Sequence, residues 1–247
     1  MPQFLKEGEI IRKTHKGVFY PDVIAVIPAY NAENTIASVV RKVLKKVGHC
    51  IVVDDGSSDK TGDEALKAGA ELIIHVNNRG KGEAIKTAFN LLRKKSYKYM
   101  ILLDADGQHL PGEIARFVQA AFRRKAQLVC GNRMNNPEGM PFIRRATNKT
   151  MSKIVSWLCG VKLSDTQCGY RLLSRKVIDS LKLKKSNFEV DTEILFQAAK
   201  NGFKVTEVTV SSIYADDHSS HIHPIRDTLR FLKLVIGLFF LRFAGKK

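Results

Sequence analysis

Two acidic runs hold the side chains with the most chemical potential. In Asp104-Ala105-Asp106-Gly107-Gln108-His109, two carboxylates stand two positions apart at the end of an apolar run. If extended backbone persists through both, period-two alternation turns them to one side. Paired carboxylates so placed can hold a hard divalent cation, directly or through water, and leave positions for phosphate oxygens, with Gln108 as a further oxygen donor. The same letters also suit a polar turn whose acid caps the next helix. The second run, Asp54-Asp55-Gly56-Ser57-Ser58-Asp59, sets two carboxylates ahead of a glycine turn. Asp55 could accept a hydrogen bond from a nucleobase N–H, while Ser57, Ser58 and Asp59 are equally well explained as a helix start. A third segment, Asn77-Asn78-Arg79-Gly80-Lys81-Gly82-Glu83, is glycine-rich but lacks both the Walker spacing and G-x-G-x-x-G. It reads as a helix N-terminus that something approaches closely through the backbone.

These runs sit at the ends of regular elements. Short β-rich runs at 23–28, 50–55, 71–76, 99–106 and 127–132 alternate with segments of helical periodicity at 33–47, 60–68, 82–95 and 112–124. Nearly continuous Val, Ile and Leu in the strands predicts a parallel sheet with helices on both faces. Ligands in such sheets bind beyond the carboxyl ends of the strands, where both acidic runs fall. Past residue 134 an N-N-P-E-G-M-P loop leads to a helical stretch at 145–158 and then to less regular sequence. The expectation is one α/β domain at 22–223, an extension at 1–21 and a basic amphipathic helix at 224–247.

Composition narrows the classes. The 247 residues carry 41 Lys+Arg against 24 Asp+Glu, a formal charge of +17, with 44% hydrophobic residues. That is too apolar for a disordered basic tail and suits a folded body with a polyanionic partner. The first residues show no apolar run of signal-peptide length, and the four cysteines form no C-x-x-C pair, so a reducing cytoplasm is expected. The apolar stretch at 231–243 is broken by Lys233 and Arg242 and is too short to span a bilayer. Flanked by Arg226, Arg230, Lys246 and Lys247, it suits a helix lying in a membrane interface, or else a core or dimer helix.

Taken together, Ile27-Pro28-Ala29-Tyr30-Asn31, Val53-Asp54-Asp55-Gly56-Ser57, Gly80-Lys81-Gly82, Asp104-Ala105-Asp106, Gly131-Asn132-Arg133, Asp165-Thr166-Gln167-Cys168-Gly169-Tyr170-Arg171 and Phe188-Glu189-Val190-Asp191 resemble the family-two glycosyltransferases of the GT-A fold. The match is to their dolichyl-phosphate mannose and glucose synthase branch. The resemblance implies a Rossmann-like, mostly parallel sheet and inverting transfer from a UDP- or GDP-linked sugar to a polyprenyl phosphate at the cytoplasmic membrane surface. It implies that Pro28, Tyr30, Val53 and Asp55 line the base and ribose. Asp104, Asp106 and Gln108 would organise Mg²⁺ or Mn²⁺ and the donor diphosphate, with Ala105 also on the donor. Arg133 and Arg144 would face phosphates, and Ser219 and His221 fall in a loop that closes over the site or meets the acceptor. Ala32, Asn132, Glu189 and His221 depart from the usual pattern, which leaves the sugar open.

A phosphate acceptor is already an anion and needs no general base. A hydroxyl acceptor would need one, for which Asp165 is the candidate; it reads equally as a turn residue before Gly169. Processive synthases are disfavoured because Trp157 is the only Trp and no Q-x-x-R-W is present. A nucleic-acid module would explain the charge but not the acidic strand ends.

Overall fold

The computed structural model describes residues 12–14, 17–137, 139–211, 213 and 235–240. Its centre is β2 (Gly17–Ala29), whose run of branched residues alternates between two apolar layers. Val23, Ala25 and Ile27 face one layer, and Ile24 and Val26 face the other. A short β1 (Arg12–Thr14) pairs antiparallel with the start of β2, so the central strand begins well before residue 23. On one side of β2 lie β3 (Val47–Asp54) and β4 (Glu71–Ile74), both parallel to it. On the other lies β5 (Tyr99–Leu102), also parallel, then β7 (Arg171–Ser174), β6 (Leu128–Asn132) and β8 (Val205–Thr209). Only β7 runs against its neighbours along this path, pairing antiparallel with both β5 and β6.

The helices α1 (Ile36–Leu44), α2 (Thr61–Lys67) and α4 (Ile114–Arg123) cover one face, through Ile36, Val40, Val43, Ala65, Phe117 and Val118. A single 3-10 turn at Pro111–Glu113 leads into α4. The other face receives α3 (Lys81–Leu92), α5 (Phe142–Cys159), α6 (Arg175–Ser180) and α7 (Glu189–Lys200), through Ile85, Phe89, Val155, Val177 and Ile194. Helices α1 to α4 present apolar residues at helical spacing to the sheet, as the periodicity predicts. Helix α5 reaches the core only through its second half, and α6 and α7 fall in the stretch read as less regular. The chain leaves β2 toward β3 and β4, then returns to place β5 on the other flank of β2. The crevice beyond β2 and β5 is therefore a topological switch point.

One expectation about this crevice is corrected. The strand predicted over 99–106 ends at Leu102, so alternation does not orient Asp104 and Asp106. The reason is local. The Gln108 N–H donates to Asp106 Oδ1 at 2.9 Å, and Gly107 takes φ +76°, a tight turn that ends sheet pairing before the acids.

The four cysteines are unbridged. Burial pushes the Cys50 and Cys168 thiols up to about 12 and the Cys130 thiol to about 11, so these three behave as small apolar core residues.

Candidate active site

The turns after β2 and β3 are latched together by short polar side chains. Asn31 N–H donates to Ser57 Oγ at 2.9 Å, Ser58 N–H to Asn31 Oδ1 at 2.9 Å, and Ala32 N–H to Thr61 Oγ1 at 2.7 Å. Asp54 accepts from both the amide and hydroxyl of Ser57, at 2.9 and 2.5 Å. Glu33 closes the set by accepting from Lys60 N–H at 3.1 Å, while its own amide donates to Asp59 at 3.1 Å. Asn31 holds φ +48°, a conformation asparagine tolerates better than most residues. This frame carries Tyr30, 40% exposed, at the mouth of the crevice. Pro28 and Val53 are paired neighbours on β2 and β3 and are both buried, Val53 within the core layer beneath the mouth.

Asp55 is enclosed. Its Oδ1 lies 2.6 Å from His75 Nδ1, Arg79 N–H donates to both oxygens at 3.1 Å, and Gly80 N–H donates to Oδ2 at 2.6 Å. His75 Nε2 in turn lies 2.9 Å from Thr87 Oγ1 on α3. With 3% of the residue exposed, the carboxylate's acceptor positions go to the protein and fix the turn that starts α3.

That turn is approached closely, as its glycines imply, but by the chain itself. Gly82 N–H donates to Ser186 O at 2.8 Å. A Cβ on Gly82 would stand 2.4 Å from Lys185 O, and one on Gly80 2.3 Å from Ser186 O. Glu193 accepts from the amides of Lys184 and Lys185 at 2.8 to 3.0 Å and so holds the covering segment in place.

The Asp104 end is organised by charge. Lys81 Nζ lies 2.7 Å from Asp104 Oδ1 and 3.2 Å from Asp191 Oδ2, and 5.8 Å from the centre of the Phe188 ring. His109 Nε2 lies 3.2 Å from Asp104 Oδ2, with its ring 4.9 Å from that of Tyr170. Burial alone would raise the Asp104 carboxyl; the Lys81 ammonium and the His109 contact outweigh it and hold the group well below the usual carboxylate range. Burial likewise acts to lower Lys81, and Asp104 and Asp191 outweigh it in the opposite direction. Behind this pair Gly169 leaves no room for a side chain: its Cβ would stand 2.8 Å from Asp104 Oδ2 and 2.9 Å from Lys81 Nζ. Asp191 also lies 3.7 Å from Arg171 Nε, and the guanidinium donates to the carbonyls of Cys168, Thr166 and Asp191. Asp106 and Gln108 occupy the turn just beyond, half-buried, and Ala105 is buried, with its carbonyl accepting from Thr35 Oγ1 at 2.7 Å.

Arg133 and Asp165 meet one another. Arg133 Nε and Nη2 reach Asp165 Oδ2 and Oδ1 at 2.8 and 3.1 Å, and the Arg133 and Gln167 amides donate to the same carboxylate. Asp165 is fully buried and Arg133 6% exposed. A buried, forked pair of this kind anchors the β6 end to the 165–170 segment. In this arrangement Asp165 has no path to an incoming hydroxyl, and Arg133 meets a carboxylate of its own chain. Arg144 is half-buried in the first turn of α5. Ser219 and His221 lie outside the described residues.

Three groups in this region went unassigned in the sequence reading: Lys81, His109 and Asp191. All three stand inside motifs quoted above, Gly80-Lys81-Gly82, the run from Asp104 to His109 and Phe188-Glu189-Val190-Asp191, without a role of their own. Asp191 lies 110 positions from Lys81, and only folding joins them.

A hard divalent ion suits the oxygen donors of Asp104, Asp106 and Gln108. Among the described residues, no three His, Cys, Asp or Glu side chains converge to hold an ion on their own. Both Asp104 oxygens meet Lys81 or His109, which leaves Asp106 and Gln108 as the oxygen donors of this set not engaged by either.

In a doubly covered α/β sheet whose polar residues gather at a switch point, that crevice is where a ligand binds. The family model for glycosyl transferase family 2 matches residues 24–182, and the chain belongs to that family. It is 30% identical over 221 residues to the UDP-N-acetylglucosamine–dolichyl-phosphate N-acetylglucosaminyltransferase of Methanococcus voltae, covering 78% of this chain and 86% of the relative. It is 31% identical over 205 residues to the polyprenol monophosphomannose synthase of Mycolicibacterium smegmatis, covering 76% of each. Among solved structures, glucosyl-3-phosphoglycerate synthase from Mycobacterium tuberculosis, in complex with Mn²⁺, UDP and phosphoglyceric acid, superposes with TM-score 0.68 at 20% identity, covering 90% of this chain and 78% of that one. The protein is thus a glycosyltransferase with the GT-A fold.

Proposed function

We propose that this enzyme moves a sugar from a nucleoside diphosphate sugar to a polyprenyl phosphate, with inversion, using Mg²⁺ or Mn²⁺. The observation that carries the reading is the contrast in availability among its acids. Asp55 and Asp165 are enclosed by protein donors, whereas Asp106 stands in the turn at the switch point with one backbone N–H on it. The names of the two relatives support the acceptor class.

On this reading, Tyr30 and the latched turns of β2 and β3 receive the base and ribose. Asp106 and Gln108 would hold the cation, with Asp104 joining them where Lys81 or His109 yields an oxygen, and the ion would stabilise the charge developing on the leaving diphosphate. Lys81 keeps Asp104 ionised. The chain's remaining task is positioning, since an acceptor phosphate brings its own anionic nucleophile and attack from the far side of the leaving group inverts the anomeric carbon. Arg144, in the first turn of α5, would face a substrate phosphate. The hydroxyl-acceptor alternative relied on Asp165 as base, and the enclosure of that carboxylate by Arg133 weighs against it.

No helix among the described residues is long and apolar enough to cross a membrane. We take residues 224–247 as a peripheral anchor on the cytoplasmic face, beyond a catalytic domain at 22–223 and an N-terminal extension. Within that anchor, residues 235–240 dock on the domain through Leu238, which packs with Leu158 and Phe196.

The test is a panel of radiolabelled UDP- and GDP-sugars with polyprenyl phosphate, with added Mg²⁺ or Mn²⁺ or with chelator. Label is expected in the organic phase only with cation. Donor hydrolysis without a lipid product across the panel would remove the acceptor assignment, and full transfer in chelator would remove the cation.

A further inference from the structure

Lys81 is a cation standing where the proposed function needs a different one. Its ammonium lies 2.7 Å from Asp104 Oδ1 and His109 lies 3.2 Å from Oδ2, so both oxygens of that carboxylate are engaged. An ammonium beside the site also repels a divalent ion. For Asp104 to join Asp106 and Gln108, Lys81 has to release it. A buried ammonium leaves one carboxylate only for another, because an unpaired charge away from water is strongly disfavoured.

Asp191 is built as that second partner. Its Oδ2 already lies 3.2 Å from Lys81 Nζ. Its Oδ1 is buried without a hydrogen-bond partner, since Arg171 Nε, at 3.7 Å, is too far to donate. Carboxylates enclosed by protein are normally satisfied on both oxygens, as Asp55 and Asp165 are in this molecule. Asp191 is also enclosed, yet keeps one oxygen in reserve.

Exposure sets the direction of an exchange. The Asp104 side chain is 30% exposed and that of Asp191 9%, so the ammonium sits between a carboxylate at the crevice and one behind it. Its three N–H groups ride on a flexible four-carbon stem. Gly169 puts no side chain against either Lys81 Nζ or Asp104. Phe188, at the start of the helix that carries Asp191, holds its ring 5.8 Å from Nζ as a further attraction on that side.

We infer that Lys81 is a resident counter-cation that occupies Asp104 in the empty enzyme and transfers to Asp191 to free an Asp104 oxygen for the divalent ion. Asp191 is then a positioning residue, acting through Lys81. No covalent bond breaks and no proton moves; ion-pair partners are exchanged. The inference rests on the cation-dependent reading above and adds to it a lysine that competes with the ion and an acid that never touches it.

The experiment is a titration of the full chain with Mn²⁺ alone, the free ion being read by electron paramagnetic resonance, with no nucleotide or acceptor present. Lys81→Met removes the competitor and should tighten Mn²⁺ binding at least about 10-fold over wild type. The gain should vanish in Lys81→Met/Asp106→Ala, which lacks the site's other carboxylate. Asp191→Asn strands the ammonium on Asp104 and should weaken binding about 10-fold in the wild-type background. In the Lys81→Met background, where no ammonium needs a partner, the same change should cost no more than about 3-fold. Thermal melts check folding, and Lys81→Gln takes the place of Lys81→Met if the latter does not fold. Unchanged Mn²⁺ affinity on removal of Lys81 would overturn the proposal, and so would an Asp191→Asn loss of equal size in both backgrounds, the result of a merely structural Asp191. Transfer is scored separately. The Mn²⁺ pattern without any cation-dependent transfer removes the function proposed above alone, and cation-dependent transfer without the pattern removes this inference alone.

Discussion

The ends of β3 and β5 present nearly the same letters, Asp-Asp-Gly-Ser and Asp-Ala-Asp-Gly, yet the fold uses them differently. At the β3 end both acids are turned inward. Asp54 closes its own turn through Ser57, and Asp55 binds two backbone amides and His75. At the β5 end Asp104 is held between Lys81 and His109, and Asp106 remains half-buried at the crevice. By its contacts the first end is a frame, and on the function proposed above the second is the working edge. An acid's value to catalysis depends on how many of its acceptor positions the protein has already filled.

This contrast can be broken or sharpened by substitution. The largest expected effect extends the frame class to Asp165. Asp165→Asn leaves Arg133 buried without its counter-charge and should destabilise the fold by about 3–5 kcal/mol, seen as a fall in the urea midpoint. Loss of activity at unchanged stability would instead return Asp165 to a catalytic role. Next comes Asp106→Ala, for which transfer should drop by roughly 100-fold or more with an unchanged unfolding curve. Retained activity would remove it from the working edge. Asp55→Asn keeps the shape but swaps one acceptor oxygen for a donor facing amide N–H groups, so a loss of about 1–3 kcal/mol is expected in urea unfolding. Weakened nucleotide affinity with no change in stability would make Asp55 a base-binding residue after all.

The smallest effect concerns pH. Because the folded Asp104 carboxyl is depressed, its contribution to stability is present above its unfolded value, about 4, and is lost as pH falls below it. The stability difference between wild type and Asp104→Asn should therefore narrow as pH drops from about 6 to about 3. A difference that stays constant over that range would mean Lys81 does not stabilise the ionised form.

Much of the architecture was legible before folding. Branched runs alternating with helical periodicity marked β2 to β6 and α1 to α4, because burial on both faces of a parallel sheet demands continuous apolar strands. The antiparallel β7 was not legible, since Arg171-Leu172-Leu173-Ser174 is too short to carry a pattern and its first residue is a fully buried Arg satisfied by carbonyls. The end of β5 was misread because Asp106 and Gly107 form a turn of their own. The site was legible as a set of strand ends, and the motif order joined them to a family. The roles within it were less so. Arg133 and Asp165 are each plausible at a reaction centre when read alone, and only their 32-residue separation closed by the fold shows that they neutralise each other.

The sequence by itself determined the sheet, the position of the acidic turns and the basic surplus, because those follow from local periodicity, turn chemistry and charge. The tertiary structure alone decided which acids are enclosed and that Lys81 serves Asp104 and Asp191 together. Those depend on partners distant in sequence, and in a buried or half-buried site the partner sets whether a charge is occupied or available.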